Sequence, residues 1–253
     1  MTIAVIAQAR AGSVRLPGKV LKKIGDNTVL SRVIRRARAI AGVDVVCVAT
    51  SSLAGDDPVA REAERCGAAV FRGDERDVLS RYRDAARCLD AQTIIRITCD
   101  CPLIDPEVCG AVLDVFRRDD ADYASNVATA SWPHGLDCEV FSRLMLERAA
   151  AEAVADDERE HVTLWMRRNE SLRHTELPGP GGEAARQRWV LDYPEDLEFF
   201  QALYPRLPGT GQPGWREVME VLEAYPEISA INDKRMAETV ARTKVVSQNA
   251  ARP

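Results

Sequence analysis

Short runs of apolar residues alternate with amphipathic segments over the first 120 residues of the chain. Residues 3–7 and 43–49 are apolar and rich in β-branched side chains, which predicts strands buried on both faces. Between residues 29 and 40, apolar side chains recur at helical spacing and stop before Gly42. The same patterns predict strands over residues 68–71 and 93–98 and helices over residues 57–65, 77–89 and 106–118. This order predicts a mostly parallel sheet with helices on both faces, whose ligand lies at the carboxyl ends of the strands.

The pattern changes after about residue 120. Residues 123–138 have the composition of a loop with short strand pieces, and residues 139–141 predict a strand at a sheet edge. Further helices are predicted over residues 143–155, 159–168 and 194–203, and a last core strand over residues 188–191. We predict one domain over residues 1–233, with an inserted lobe at residues 120–175, and a loosely attached tail at residues 234–253.

Composition limits the possible partners. The 253 residues are 46% hydrophobic and carry a net charge of −5, which supports a packed core and disfavours a nucleic-acid-binding protein. No apolar run approaches the roughly 18 residues that cross a bilayer, so we expect no membrane partner. The N-terminus is apolar too briefly to predict a signal peptide. Seven irregularly spaced cysteines indicate reduced thiols in a cytoplasmic protein, with Cys99 and Cys101 as packing residues rather than zinc ligands.

The loop after the first predicted strand carries the strongest chemical signal. Between residues 10 and 25 the acidic chain has no carboxylate and five basic residues, namely Arg10, Arg15, Lys19, Lys22 and Lys23. Glycines in the loop allow a ligand to approach the backbone closely, while arginine and lysine side chains bind phosphate oxygens. These features favour a cradle for an oligophosphate. The composition is equally compatible with an ordinary Gly/Pro surface loop whose basic groups are solvated.

Four segments resemble the sugar-activating cytidylyltransferases. Arg10-x-Gly-Ser-x-Arg-Leu-Pro-Gly-Lys19, after an N-terminal strand, resembles their signature, and the SpsF-like branch is the most similar. Residues 71–82, 95–105 and 190–197 resemble further conserved blocks of that branch, in the same order along the chain. The resemblance implies a Rossmann-like three-layer α/β/α fold of the nucleotide-diphospho-sugar transferase type.

The resemblance also implies a reaction. An acceptor oxygen of a sugar attacks the α-phosphorus of CTP, and pyrophosphate leaves. Such chemistry depends on positioning and on neutralising the phosphate oxygens. We expect Arg10, Arg15 and Lys19 to perform this catalytic work, with Lys19 facing the α-phosphate. Gly12 and Ser13 would donate backbone N–H groups to the nucleotide.

Two aspartates are candidate magnesium ligands. Asp100 follows the fourth predicted strand and Asp192 follows the last one, so both lie at the carboxyl edge of the predicted sheet. Paired carboxylates suit Mg²⁺, which prefers hard oxygen ligands. Either residue alone is also typical of a helix cap or a turn. We interpret Glu195 and Asp196 as first-turn carboxylates of the following helix.

Recognition of the base is implied only by the resemblance. In the family, the backbone after the first strand and an arginine from the second block face the cytosine. In this chain those positions are Ala9 and Arg72. Arg72 is equally compatible with a salt bridge to Asp74 or Asp77.

The acceptor pocket is predicted in the second half of the chain. Residues 132–141 and 160–163 resemble two blocks of the SpsF-like branch. The acceptor-binding candidates in these blocks are His134, Asp137, Glu139 and His161. Alternation along a strand puts both carboxylates on one face, where they accept hydrogen bonds from sugar hydroxyls. Either histidine could take a proton from the attacking hydroxyl, although a lone histidine on a helix is also typical of a packing residue.

The acceptor itself stays open. A keto-acid sugar and a sugar phosphate both need cations, and Arg143, Arg159 and Arg167 are available for either. A nucleotidyltransferase that uses another triphosphate, such as GTP, is an alternative. A homodimer would fit the family.

Two other classes of function are disfavoured. A GT-A-type glycosyltransferase normally has an Asp-x-Asp motif after a strand, and the clear match here, Asp120-Ala-Asp122, follows a helix. A non-catalytic binding protein would be expected to lose the charged loop, which is intact.

Overall fold

A seven-stranded sheet in the order β5-β4-β1-β6-β8-β7-β9 forms the centre of the computed structural model, which describes residues 1–209 and 212–236. Its strands are β1 (Thr2–Gln8), β4 (Val45–Ser51), β5 (Ala69–Gly73), β6 (Ala91–Thr98), β7 (Tyr123–Ser125), β8 (Glu139–Ser142) and β9 (His174–Glu176). A separate hairpin consists of β2 (Lys23–Ile24) and β3 (Asn27–Thr28). Strands β5, β4, β1 and β6 are mutually parallel, which confirms the predicted α/β class.

Helices cover both faces of the sheet. They are α1 (Val29–Arg38), α2 (Asp57–Arg65), α3 (Val78–Cys88), α4 (Pro106–Arg118), α5 (Arg143–Glu152), α6 (Asp156–Glu160), α7 (Leu164–Arg168), α8 (Pro194–Leu203), α9 (Trp215–Ala224) and α10 (Pro226–Ala230). Apolar side chains of α1, α2 and α4 pack on one face of the sheet, and those of α3, α5 and α7 pack on the other. In the described part of the chain, no helix is long and apolar enough to span a membrane.

Local capping explains why some helix boundaries were predictable. Helices α2, α4 and α8 have the predicted bounds. In α4, the Asp105 carboxylate accepts from the N–H groups of Glu107 and Val108, while Pro106 occupies the first helical turn. Both are sequence signals that depend on neighbouring residues alone.

Two strand predictions were wrong. Strand β8 lies inside the sheet between β6 and β7, antiparallel to both, rather than at an edge. Residues 188–191 are extended but form no strand, because their N–H groups bind loops: Trp189 donates to the His134 carbonyl at 2.7 Å, and Leu191 donates to the Asp100 carbonyl at 2.8 Å. Strand β9, which pairs with β7, was not predicted.

The helix predicted over residues 159–168 is broken in the structure. Helix α6 ends at Glu160, and α7 begins at Leu164. Between them Val162 is fully buried with φ of 54°, and the Thr163 N–H donates to the His161 carbonyl across it. This tight turn points successive residues in different directions and interrupts the helical hydrogen bonds.

Residues 120–175 contribute β7, β8 and helices α5–α7 to the layers described above. Their predicted role as an acceptor-binding or dimerisation lobe stays a prediction. The predicted tail lies outside the described residues except for its first three, 234–236. Of these, Arg235 pairs with Glu195 at 2.9 Å and its guanidinium lies 4.2 Å from the centre of the Tyr193 ring.

We call residues 10–19, which follow β1, the cradle loop. A third apolar cluster packs this loop against the C-terminal part of the domain. Leu16 of the loop is buried in this cluster with Leu136, Trp189 and Leu191. Gly135 has φ of 117°, and a Cβ atom there would lie 2.5 Å from the Trp189 carbonyl oxygen. The backbones of residues 135 and 189 can therefore approach this closely only with glycine at position 135.

We expect Gly135→Ala to lower the free energy of unfolding by about 2–4 kcal/mol, because the alanine must adopt a disfavoured φ and displace the Trp189 backbone. Urea denaturation measures this difference. The matched control is Gly110→Ala within α4, where a Cβ meets open space; there the free energy of unfolding should rise by about 0.5–1 kcal/mol. Equal effects at the two positions would contradict the close approach.

Candidate active site

A cleft of about 490 Å³ opens at the carboxyl ends of β1 and β6. We call it the main cleft; its walls include Gln8, Lys19, Thr98, Asp137 and His161. A side cavity of about 670 Å³, lined by residues 74–77 and by Asp156 and Arg159, adjoins it. Arg10 and Glu160 border both spaces. The main cleft and the side cavity lie where a doubly wound sheet is expected to hold its ligand.

Lys19 brings the two predicted metal ligands together. Gly18, with φ of 64°, precedes a 3₁₀ turn that begins at Lys19. The Lys19 Nζ atom lies 2.6 Å from Asp100 Oδ2 and 2.8 Å from Asp192 Oδ1. The three residues come from distant parts of the chain. Lys19 therefore binds two carboxylates in this arrangement, where the prediction had placed its ammonium against a phosphate.

Burial and charge act in opposite directions on these groups. Burial opposes ionisation of the Asp100 carboxyl, but the Lys19 ammonium outweighs it and lowers the pKa from 3.8 to about 2. Burial likewise opposes the charge on Lys19, yet Asp100 and Asp192 together raise the pKa of the lysine. Lys19 and Asp100 are therefore both ionised at neutral pH.

Asp192 is held from several sides. Arg15 Nη2 lies 2.8 Å from Asp192 Oδ1. The fully buried Asp196 accepts from Arg188 Nε at 2.8 Å and from the Asp192 N–H at 2.9 Å. Arg188 Nη2 in turn lies 3.5 Å from Asp192 Oδ2. The prediction that Asp196 is a first-turn helix carboxylate is confirmed, and the structure adds that it positions the Asp192 side chain.

The cradle loop is anchored by an aspartate that the sequence analysis missed. The buried Asp56 accepts from the Ala11 N–H at 2.6 Å. The loop then folds on itself, because Gly18 donates to the Ala11 carbonyl at 3.0 Å and Ser13 donates to the same oxygen at 2.9 Å. The Ser13 N–H is thus engaged within the loop in this arrangement, and the contacts of Gly12 and Ser13 with a nucleotide stay predictions.

The nucleotide-side predictions divide into two groups. Ala9 lines the main cleft, and its N–H donates to the Ala49 carbonyl. Arg72 lies outside both cavities in the described structure: it pairs with Asp57 at 2.7 Å and donates to the Ser51 carbonyl at 3.0 Å. Neither predicted partner of Arg72 was right, because its strand position directs the side chain to the loop after β4.

Arg10 and Arg81 both line the main cleft. Arg81 Nη1 donates to the Asp74 carbonyl at 2.7 Å, which ties α3 to the loop lining the side cavity. Arg10 forms no ion pair with any residue that the structure describes, so its charge is available to a ligand. Burial lowers the pKa of Arg81, and Arg10 adds to this lowering because the two guanidinium groups lie near each other.

Three of the four acceptor-side predictions line the main cleft, namely His134, Asp137 and His161. His134 Nε2 lies 3.8 Å from Asp137 Oδ2. Desolvation of the carboxylate raises the pKa of Asp137, and the nearby Glu139 charge adds to this effect. His134 acts in the opposite direction but does not offset the two. A histidine and a carboxylate side by side can take a proton from a hydroxyl and hold it.

Glu139 does not line the cleft, and its predicted contact with the acceptor is wrong. Its side chain is 5% exposed and pairs with Arg96. Tyr123 and Thr163 both donate their hydroxyls to Glu139 Oε1. The predicted alternation fails because β8 begins at Glu139, so Asp137 is not part of the strand.

Arg96 is a charged cleft residue that the sequence analysis missed. It lies in β6, lines the main cleft and pairs with the buried Glu139. Nη2 of Arg96 also donates to Gln8 Oε1 at 3.3 Å. The available signal was a charged residue inside a predicted buried strand, since an arginine is rarely buried without a partner.

The three arginines proposed for the acceptor anion are placed differently. Arg143 follows β8 at the opposite edge of the sheet and pairs with Asp90 at 2.8 Å, so it is far from the cleft. Arg159 lines the side cavity, where it pairs with Asp77 and donates to Ser80. Arg167 is exposed on α7.

The donor set fits a magnesium-type ion. Asp100 and Asp192 supply hard carboxylate oxygens, and such an ion completes its shell with waters and substrate phosphates. In residues 1–209 and 212–236 there is no group of three or more His, Cys, Asp and Glu side chains that could hold a metal ion. Cys99 and Cys101 are buried and reduced, as predicted for packing residues.

Comparisons with known proteins agree with this geometry. Residues 4–225 match a family model described as cytidylyltransferase. The spore coat polysaccharide biosynthesis protein SpsF of Bacillus subtilis is 33% identical over 232 residues, covering 89% of this chain and 95% of SpsF. A 3-deoxy-manno-octulosonate cytidylyltransferase of Maricaulis maris is 35% identical over 156 residues, covering 60% of this chain and 57% of that enzyme. A solved cytidylyltransferase of Leptospira borgpetersenii is similar with a TM-score of 0.86 and 29% identity, covering 90% of this chain and 97% of that one.

The low pKa of Asp100 predicts a pH dependence of stability. A carboxyl whose pKa is lower in the folded state stabilises the fold above its unfolded pKa, and this contribution is lost as pH falls towards the folded value. A pKa of about 2 against 3.8 corresponds to about 2 kcal/mol at neutral pH. The difference in unfolding free energy between the natural protein and Asp100→Asn should therefore shrink by about 1 kcal/mol between about pH 6 and pH 3 in urea titrations. A difference that does not change with pH would place Lys19 away from Asp100 in solution.

Proposed function

The chain belongs to the cytidylyltransferase family, and from this membership we propose that it transfers CMP from CTP to a sugar and releases pyrophosphate. The observation that carries the proposal is the contact of Lys19 with both Asp100 and Asp192. It brings the cationic cradle loop together with two carboxylates that would hold a metal ion, which supports the proposal. Nucleotidyl transfer needs both, because four phosphate charges must be neutralised while the α-phosphorus is attacked.

The triphosphate would lie in the part of the main cleft nearest the cradle loop. Arg10 has no ionic partner among the described residues, and Arg15 and Lys19 lie within reach of the same space. Asp100 and Asp192 would hold a divalent ion, Mg²⁺ in our proposal, which when bound neutralises phosphate oxygens and orients the leaving pyrophosphate. Asp196 keeps the Asp192 carboxylate in place through Arg188.

The nucleoside would occupy the side cavity. This space adjoins the main cleft at Arg10 and is lined by residues 74–77. Their carboxylates can accept hydrogen bonds from ribose hydroxyls and from the amino group of a base. The Ala9 backbone lines the main cleft next to Arg10, which borders both spaces. Arg72 does not belong to this proposed subsite.

The sugar acceptor would bind on the opposite side of the main cleft. Asp137 would accept a hydrogen bond from a sugar hydroxyl, and His134 would take the proton as the oxygen attacks. His161 lies on the same wall. The acceptor's negative group, a carboxylate of a keto-acid sugar or a phosphate, would approach Arg96 on the floor of the cleft.

The biological setting is proposed from the relatives. The name of SpsF refers to spore coat polysaccharide biosynthesis, and that of the Maricaulis relative to 3-deoxy-manno-octulosonate. We propose that this chain likewise makes an activated sugar, a nonulosonic or other keto-acid sugar or a sugar phosphate derivative, for a polysaccharide or glycan. A cytoplasmic location, a homodimer and the acceptor role of residues 120–175 belong to the same proposal.

The structure disfavours a GT-A-type glycosyltransferase. Asp120 and Asp122 both pair with Arg173. They line a cavity with Met1 and Ile3, at the amino ends of the strands. The Asp-x-Asp sequence is therefore far from the main cleft.

We expect Lys19→Ala and Asp100→Asn each to lower the rate of pyrophosphate release at least about 100-fold, because each removes a charge that acts on the reacting phosphates. The measurement is pyrophosphate release with Mg²⁺, CTP, GTP, ATP or UTP and a panel of keto-acid sugars and sugar 1-phosphates. Lys22→Ala is the matched control, since Lys22 lies three residues away and outside the lining of the main cleft.

Preference for CTP over the other three triphosphates supports the proposed nucleotide. Activity with GTP alone would move the enzyme to another nucleotidyltransferase specificity. Near-normal turnover of Lys19→Ala with folded protein would contradict the assigned role of the cradle loop.

Asp137→Asn should raise the KM for the sugar acceptor by about 10-fold or more while leaving the KM for CTP unchanged, because it weakens a charge-assisted hydrogen bond to the sugar. Steady-state kinetics with each substrate varied in turn measures this split. Asp90→Asn, an exposed position at the opposite edge of the sheet, serves as the control. An equal rise in both KM values would place Asp137 outside the acceptor subsite.

A further inference from the structure

Of the three cations predicted to bind the triphosphate, Arg10, Arg15 and Lys19, the last two contact carboxylates of the protein. Lys19 contacts both Asp100 and Asp192, and Arg15 contacts Asp192 on the same Oδ1 atom that Lys19 binds. These carboxylates are the groups that would hold the divalent ion, and the two cations are the groups that would hold the triphosphate. The anion-binding and cation-binding halves of the site thus contact each other.

The burial of the cluster explains why this pairing matters. The side chains of Lys19, Asp192 and Asp100 are only 13%, 14% and 21% exposed. Two carboxylates this close and this poorly solvated repel each other strongly unless a positive charge lies between them. The Lys19 ammonium supplies that charge.

Of the two cations that contact Asp192, Arg15 makes the weaker ion pair. Its side chain is 43% exposed, which lets solvent screen the ion pair. Its guanidinium also lies 4.9 Å from the centre of the Tyr193 ring, so part of its position is fixed without the carboxylate. Release of Arg15 would therefore free Asp192 less than release of Lys19 would.

We propose that Lys19 is a built-in counter-cation that occupies the divalent-ion site of the nucleotide-free enzyme, so that metal and triphosphate bind cooperatively. The inference rests on the proposed function and adds a rule for how the site is filled. When the carboxylates take up a divalent ion, the ammonium must leave them, and the phosphates of the nucleotide are the partner that receives it. Each ligand thus removes the cost of binding the other, and the coupling is reciprocal.

Mn²⁺ binding tests this proposal without any turnover. Electron paramagnetic resonance of free Mn²⁺ gives the dissociation constant for the nucleotide-free protein. The same titration with saturating CTP, corrected by a protein-free titration for the Mn²⁺ that CTP itself binds, gives the constant for the complex. We expect Lys19→Met to bind Mn²⁺ about tenfold or more tightly than the natural protein without nucleotide, because a nearby opposing charge is worth one to three pKa units. Arg15→Gln should show a smaller gain in the same direction.

In the natural protein, CTP should tighten Mn²⁺ binding about tenfold or more, and this coupling should shrink in Lys19→Met. Lys22→Met is the matched control, expected to bind Mn²⁺ like the natural protein. Circular dichroism checks that each variant is folded.

The proposal is overturned if Lys19→Met and Arg15→Gln both bind Mn²⁺ no more tightly than the Lys22→Met control. Should Lys19→Met not fold, Lys19→Gln, which also removes the charge but keeps a polar side chain beside the carboxylates, takes its place with the same expected gain. The nucleotide-free titrations do not depend on CTP. A gain in Mn²⁺ affinity for Lys19→Met together with no effect of CTP would therefore support the counter-cation and reject CTP as the nucleotide.

Discussion

One ammonium group between two carboxylates holds this site together. Lys19 lies after β1, Asp100 lies after β6, and Asp192 follows an extended segment near the end of the domain. The parallel pairing of β1 with β6 brings the first two to one edge of the sheet. The Leu191 N–H, which donates to the Asp100 carbonyl, brings the third. Several surrounding contacts hold these three residues in place. Asp56 binds the start of the cradle loop, Leu16 in the middle of the loop is buried in an apolar cluster, and Asp196 accepts from the backbone N–H of Asp192.

The parts of the fold that sequence could predict are those set by local chemistry. Helix α4 begins where Asp105 and Pro106 dictate, and β1 is an apolar run with no competing interpretation. Residues 188–191 have the same apolar character, but their hydrogen bonds go to the carbonyls of His134 and Asp100 instead of a neighbouring strand. That choice depends on loops more than fifty residues away, which no local pattern encodes. The break at Val162 is of the same kind, because it serves the distant carboxylate of Glu139.

The candidate site shows the same division. The cationic loop and Asp100 were predictable because each follows a strand end, where parallel topology gathers side chains at one edge. Asp192 was found for a different reason: the apolar residues before it have the pattern of a strand, although they do not join the sheet. Arg72 was misplaced because the direction of a side chain near a strand end depends on the neighbouring loop, here through Asp57. Glu139 was misassigned because its alternation with Asp137 assumed a strand two residues longer than β8. Arg96 was overlooked because its partner lies on another strand, and a buried arginine is explained only once that partner is known.

The turn at Val162 also bears on how the chain can diverge over generations. A branched side chain in a left-handed backbone costs about 1–2 kcal/mol, while complete burial of the same side chain contributes about 1.5–3 kcal/mol. A glycine would remove both effects at once, so relief of the strained backbone would offset part of the lost burial, and the cavity left behind would be the remaining cost. The adjacent Thr163 has no such offset, since without its hydroxyl the enclosed carboxylate of Glu139 would lose one of its donors. The cost of a substitution therefore differs between two neighbouring positions for reasons that lie in backbone geometry and not in the chemistry of the substrates.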